Sequence, residues 1–153
     1  MGRDIGIQII LAVELNHDAV KIILERGALL GCKYIENSHF FFEEPSSFVT
    51  PLEAADYIME GVKEEERVGI EKLRTIPSVA FQYQDTFCDL IFSVWPNKGI
   101  RISYIMPNRG YWCKNDPEFG MIDWARYIQL VLALCQDFSI LMLKTDDSYF
   151  ESQ

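Results

Sequence analysis

Basic residues and histidine are scarce in this chain. Its 153 residues include 14 Lys and Arg against 23 Asp and Glu, with two His, for a formal charge of −9. Surfaces that track phosphates or anionic lipid need clustered Lys and Arg, so nucleic acid and membrane are excluded as expected partners. The sequence also lacks a long hydrophobic run. No stretch approaches the ~18–20 consecutive apolar residues that a bilayer-spanning helix requires. The opening "MGRDIGIQIILAVEL" is interrupted by Asp4, closed by Glu14, and followed by no small-residue cleavage site. Gly6 stands where a myristoylation signal wants Ser or Thr. Cysteine pairs are missing as well: Cys32, Cys88, Cys113 and Cys135 form no C-x-x-C. The expectation is therefore a cytoplasmic protein with free thiols. Gly-rich phosphate loops are absent, which leaves nucleotide cofactors unsupported.

What is present is enough apolar material, 49% of residues, for one sizeable core. A single domain over residues 1–153 is expected, with a frayed tail from about residue 145. Ile5, Ile7, Ile9, Leu11 and Val13 alternate as in a strand with one covered face. Asn16 can cap a helix whose Ala19, Val20, Ile23 and Leu24 share a side, ended by Gly27 or Gly31. Thr50-Pro51-Leu52-Glu53 combines a Thr cap, Pro at the first helical position and Glu three residues after the cap. It starts a second helix with the stripe Leu52, Ala55, Met59 and Val62, fraying near 67–69. Period-two segments follow: Val79, Phe81, Tyr83; then Cys88, Leu90, Phe92, Val94; then Ile100, Ile102, Tyr104, Met106. Pro96-Asn97-Lys98-Gly99 turns the last two into an antiparallel hairpin. A third helix is expected near 121–136, apolar almost all round (Ile122, Ala125, Tyr127, Ile128, Leu130, Val131, Leu132, Leu134, Cys135) and therefore central or covered on two sides. "FSILMLK" reads as a buried last strand. The order predicts an α+β domain: a mainly antiparallel sheet of about five to six strands with three helices packed on it.

The chemistry-bearing candidates are weak. "NSHFFFEEP" places His39, Phe41 and Glu43 on one face of a strand and Phe40, Phe42 and Glu44 on the other. No face then holds the His with two carboxylates, and no H-x-x-x-H or H-E-x-x-H spacing supplies further ligands, so no metal is expected. Paired carboxylates, Glu43–Glu44 or Asp85–Asp89, read as solvated strand ends. Cys113, with His39 or His17 as base and Asp116 as orienting group, would make a nucleophilic arrangement and a small enzyme or ligand-binding domain. No motif surrounds it, and the reading preferred is no catalytic residue and no cofactor.

Two features point to binding instead. The loop "NRGYWCKND" presents Tyr111 and Trp112, with Asp116 close by, in the manner of interface anchors. In the second helix Glu53, Asp56, Glu60 and Glu64 fall on one flank opposite the apolar stripe, at spacings that make like charges repel. Lys63 and Arg67 offset only part of that charge.

The ending "MIDWARYIQLVLALCQDFSILMLKTDD", helix running straight into strand, resembles bacterial immunity proteins of polymorphic or contact-dependent toxin systems, as do the size and acidity of the chain. That resemblance implies binding without catalysis: sequestration of a toxin domain, often a basic nuclease, by covering its active site or an adjoining surface. It supplies no motif from which to transfer functional residues. The site expected here, Glu53, Asp56, Glu60, Glu64, Tyr111, Trp112 and Asp116, rests on charge and aromatic placement, and the expected partner is a cationic protein.

Overall fold

The structure is a computed structural model that describes residues 5–35, 48–68, 79–84, 86–95, 99–106 and 122–147. Its elements are β1 (Ile5–Leu11), α1 (His17–Leu30), β2 (Lys33–Ile35), β3 (Phe48–Val49), α2 (Pro51–Val68), β4 (Val79–Tyr83), β5 (Thr86–Trp95), β6 (Gly99–Met106), α3 (Trp124–Leu134) and β7 (Ile140–Asp147). The class is α+β, and the described residues form three helices and a sheet of seven strands in the order β3-β2-β4-β5-β6-β1-β7. Every neighbouring pair is antiparallel. The count exceeds the expected five to six because the two-residue β3, too short to show a period, pairs with β2.

Local signals account for the element starts. Asn16 accepts a hydrogen bond from the Ala19 N–H at 2.9 Å, and α1 stops at Gly31, whose φ of 106° suits glycine. Thr50 and Glu53 close the capping box, the Glu53 N–H donating to Thr50 Oγ1 at 3.2 Å and the Thr50 N–H to Glu53 Oε1 at 3.3 Å.

Register decides which side chains meet. The rows Leu90–Tyr104–Ile7 and Phe92–Ile102–Ile9 cross three strands on the helix-covered face. They join Ala19, Val20, Ile23, Leu24, Ala54, Ala55, Tyr127 and Val131 in one core cluster. At 20–33 cal/mol per Å² of apolar surface, burying each such Ile, Leu or Val contributes roughly 1.5–3 kcal/mol. Helix α1 packs against both α2 and α3, while α2 lies over β2 to β5. On the other face Ile35 and Ala80, paired across β2 and β4, are also buried.

Four expectations need correction. In α2 Ala54, Ala55, Ile58 and Gly61 are buried, and of the expected stripe Ala55, Met59 and Val62 pack on the core while Leu52 is 48% exposed. Helix α3 buries one face only, Tyr127, Val131 and Leu134, and leaves Ala125 and Leu132 exposed, so it is a flanking helix and not a central one. Among the described residues β7 pairs on one side only, with β1. It is an edge strand in which Ile140, Leu141 and Met142 are exposed, not a buried strand. Finally, β7 extends to Asp147, so the strand takes in Thr145 to Asp147 where a frayed tail was expected. No described helix is long and apolar enough to cross a membrane.

Candidate functional site

The acidic row lies where the sequence put it. Glu53, Asp56 and Glu60 are exposed and Glu64 half-exposed, on the side of α2 turned away from Ala54, Ala55 and Ile58. Two of the four carboxylates are held within α2 and its cap: Glu53 by the Thr50 box and Glu64 by Arg67, one turn on. The Arg67 guanidinium, hydrogen-bonded to Glu64, lowers that carboxyl below its ordinary range. A third is held from another element, since His17 Nε2 lies 2.7 Å from Asp56 Oδ1 and ties the first turn of α1 to α2. Glu60 makes no ion pair among the described residues.

The His17–Asp56 contact was not legible in the sequence. The two residues are 39 positions apart, and only the packing of α1 on α2 brings them together. Its effect is to place an imidazole against the acidic face, in contact with one of its carboxylates. The row is a set of carboxylates at helical spacing on the solvent side of a helix, with the Arg67 guanidinium paired to Glu64 and the His17 imidazole in contact with Asp56.

The remaining expected residues fall elsewhere. Tyr111, Trp112 and Asp116 lie outside the described residues, as do His39, Glu43, Glu44, Asp85 and Cys113. The alternative pocket of His39, Cys113 and Asp116 therefore also lies outside the described residues. The described cysteines are thiols buried in the core. Burial pushes the Cys135 thiol up to about 11 and the Cys32 thiol up to about 12, and it raises Cys88 well above its ordinary value. A nucleophilic thiol needs the opposite shift, so these three are packing groups. Tyr104 Oη sits 3.5 Å from Cys135 Sγ, and Cys88 Sγ 3.7 Å from Met106 Sδ. Among the described residues no cluster of three His, Cys, Asp or Glu is placed to hold a metal ion.

A second surface, which the sequence reading passed over as buried, lies at the β7 edge. From Trp124 to Asp147 the charged residues are Arg126, Lys144, Asp137, Asp146 and Asp147, a net of −1. From Pro51 to Val68 they are six acids (Glu53, Asp56, Glu60, Glu64, Glu65, Glu66) and two bases (Lys63, Arg67), a net of −4. Arg126 is hydrogen-bonded to Gln84, and Asp137 takes a two-point contact from Arg26 at 2.9 and 3.1 Å. Compared with known proteins, the chain matches no family model, no curated protein and no solved structure.

Proposed function

We propose that this chain is a non-catalytic, cytoplasmic binding protein that neutralises a cationic bacterial toxin domain, such as a basic nuclease, by protein–protein association. The observation that carries the reading is the exposed carboxylate row of α2, displayed on a helix whose opposite side is locked into the core. Such a row steers encounter with a basic cleft and raises the association rate, while affinity comes from packed anchors elsewhere in the interface. Support also comes from the resemblance of the last helix and strand to immunity proteins, and from an overall charge of −9 that would attract a basic domain. Within the row Glu60 is the carboxylate best placed to act on a partner, since Glu53, Asp56 and Glu64 already have neighbours that share their charge.

The test is the association rate with the toxin domain encoded beside this gene, measured against ionic strength. Replacing Glu60 by Lys, alone and together with Asp56→Lys, is expected to slow association at low salt by about tenfold. The wild-type rate should fall as the Debye length shortens to about 8–10 Å. Equal rates for wild type and variants at low salt would show that the row is a solvated face and no more.

A further inference from the structure

We propose that the outer ridge of α1, with the acidic flank of α2 beside it, is the docking surface for a cationic amphipathic helix of the partner protein. The inference rests on the binding function proposed above and names the element that is bound. Asp18, Ile22, Glu25 and Leu29 follow one another at steps of four, three and four residues, which sets them in a row along one side of α1. Ala19, Val20, Ile23, Leu24 and Gly27 fill the opposite side and are buried. Two of the four outward residues are large and apolar. Leu29 is 80% exposed and Ile22 41%, in a position where an amphipathic helix is ordinarily polar.

Spacing and charge select the occupant. Ile22 and Leu29 are seven residues apart, two helical turns or roughly 10.5 Å of rise. A facing helix repeats at the same interval, so its apolar side chains at i and i+7, with i+3 or i+4 between them, meet both residues. Asp18 and Glu25 alternate with the two apolar side chains. His17, the neighbour of Asp18, contacts Asp56 and so brings the exposed Asp56 and Glu60 of α2 alongside the ridge. Over the two helices the acids number eight, two in α1 and six in α2, and the bases four, two in each. Of the α1 bases, Lys21 lies 3.5 Å from Glu25, and Arg26 turns to the α3 side, where it holds Asp137. The surface is therefore apolar at its centre and acidic around it. A second copy of this chain is disfavoured there, because a two-fold contact sets Asp18 and Glu25 against their own counterparts. A helix with Lys or Arg on either side of its apolar row matches both the centre and the rim.

The experiment uses the full chain, the toxin domain encoded beside this gene, and a defined probe: a helical peptide of about 18 leucine and lysine residues with its leucines on one face. One control peptide replaces lysine by glutamate, and another keeps the composition but scatters the leucines. Fluorescence anisotropy gives the dissociation constants and amide chemical shifts give the site. The leucine–lysine peptide is expected to bind with shift changes centred on residues 18–29, and both controls at least about tenfold more weakly. Leu29→Gln should weaken binding of the peptide and of the toxin domain about tenfold, with unchanged far-ultraviolet circular dichroism. Ile22→Gln should do the same, and it decides if the first variant does not fold. A peptide affinity that neither variant changes overturns the proposal, as does equal binding of either control. So does a wild-type dimer in sedimentation equilibrium that Leu29→Gln dissociates, since a second copy then holds the ridge. The two readings fail separately. A toxin domain that binds wild type and both variants alike removes the ridge from the interface and leaves the binding function standing. A toxin domain that binds none of them, with the peptide still captured at the ridge, removes the toxin and keeps the docking surface.

Discussion

Over β2–β5 the sheet is covered by a helix whose outer side bears Glu53, Asp56, Glu60 and Glu64, whereas at the opposite edge β7 shows Ile140, Leu141 and Met142 beside a third helix with Arg126 as its one charge. Both surfaces belong to elements that bury their other side in the same core. Placement, more than composition, separates them. Helix α2 is amphipathic in the ordinary way, with charge where water is. α3 and β7 have the composition of interior elements and are only half interior, which is why one half of the molecule reads as a solvated face and the other as an unfinished one.

That contrast can be broken most forcefully at the seam that joins the halves. A side chain at Gly99, where φ is 118°, would bring its Cβ to 2.3 Å from the Leu11 carbonyl oxygen and 2.6 Å from that of Val13. Gly99→Ala should therefore lower stability by about 3 kcal/mol or more. In thermal melts followed by circular dichroism, a single transition shifted downward is expected, because α2 and β7 share one core. An early, separate loss of the α2 half would show two independent units.

The middle helix offers a gentler break. Tyr34, buried on β2, donates its hydroxyl to the Leu24 carbonyl at 2.9 Å beside Gly27, and a Cβ at Gly27 would lie 2.1 Å from that oxygen. Gly27→Ala should cost about 1–3 kcal/mol in denaturant unfolding by displacing the buried Tyr34 phenol and breaking its hydrogen bond. Tyr34→Phe, in combination, should recover part of that loss, since the clashing atom is removed.

A third prediction concerns pH. Thiols in the unfolded chain titrate near 8.5, whereas burial moves Cys135 up to about 11 and Cys32 up to about 12 in the folded protein. Above pH 8.5 the folded state holds the protons more tightly than the unfolded one. Stability is thus full below that pH and falls as pH rises toward 11 and 12, by about 1 kcal/mol per pH unit and thiol. Denaturant midpoints at pH 8, 9.5 and 10.5 should decline, as a [pH] series would read them, and Cys135→Ala should flatten the decline. A pH-independent midpoint would mean that these thiols are solvated.

The smallest effect sharpens the contrast from the acidic side. Relieving the repulsion at i,i+4 spacing, Glu60→Lys should raise stability by a few tenths of a kcal/mol while leaving the β7 half unchanged. Unfolding midpoints in low and high salt check it, with the gain expected to shrink as salt rises.

Much of the α2 half was legible because its signals are local. The Thr50–Glu53 box, Pro51 and the row at 53, 56, 60 and 64 are each contained within about one to three turns, and helix geometry alone puts those carboxylates on one side. The direction in which that helix settles was not local. Leu52 looks like core by hydrophobicity, yet α2 buries Ala54, Ala55 and Ile58 and leaves Leu52 48% exposed. The His17–Asp56 contact depends on the packing of α1 on α2.

The period-two patterns of β1, β5 and β6 determined by themselves that these segments are strands with one covered face, and the capping residues determined where α1 and α2 begin. Which strands are neighbours, and which strand ends the sheet, was decided only by tertiary structure. A run such as Ile140–Leu143 has the same hydrophobicity whether it is flanked on both sides or one, because periodicity reports which faces avoid water and carries no information about the in-plane direction of hydrogen bonding. β1 accepts β6 on one side and β7 on the other, and with no further strand beyond it among the described residues, a segment with an interior composition became an edge.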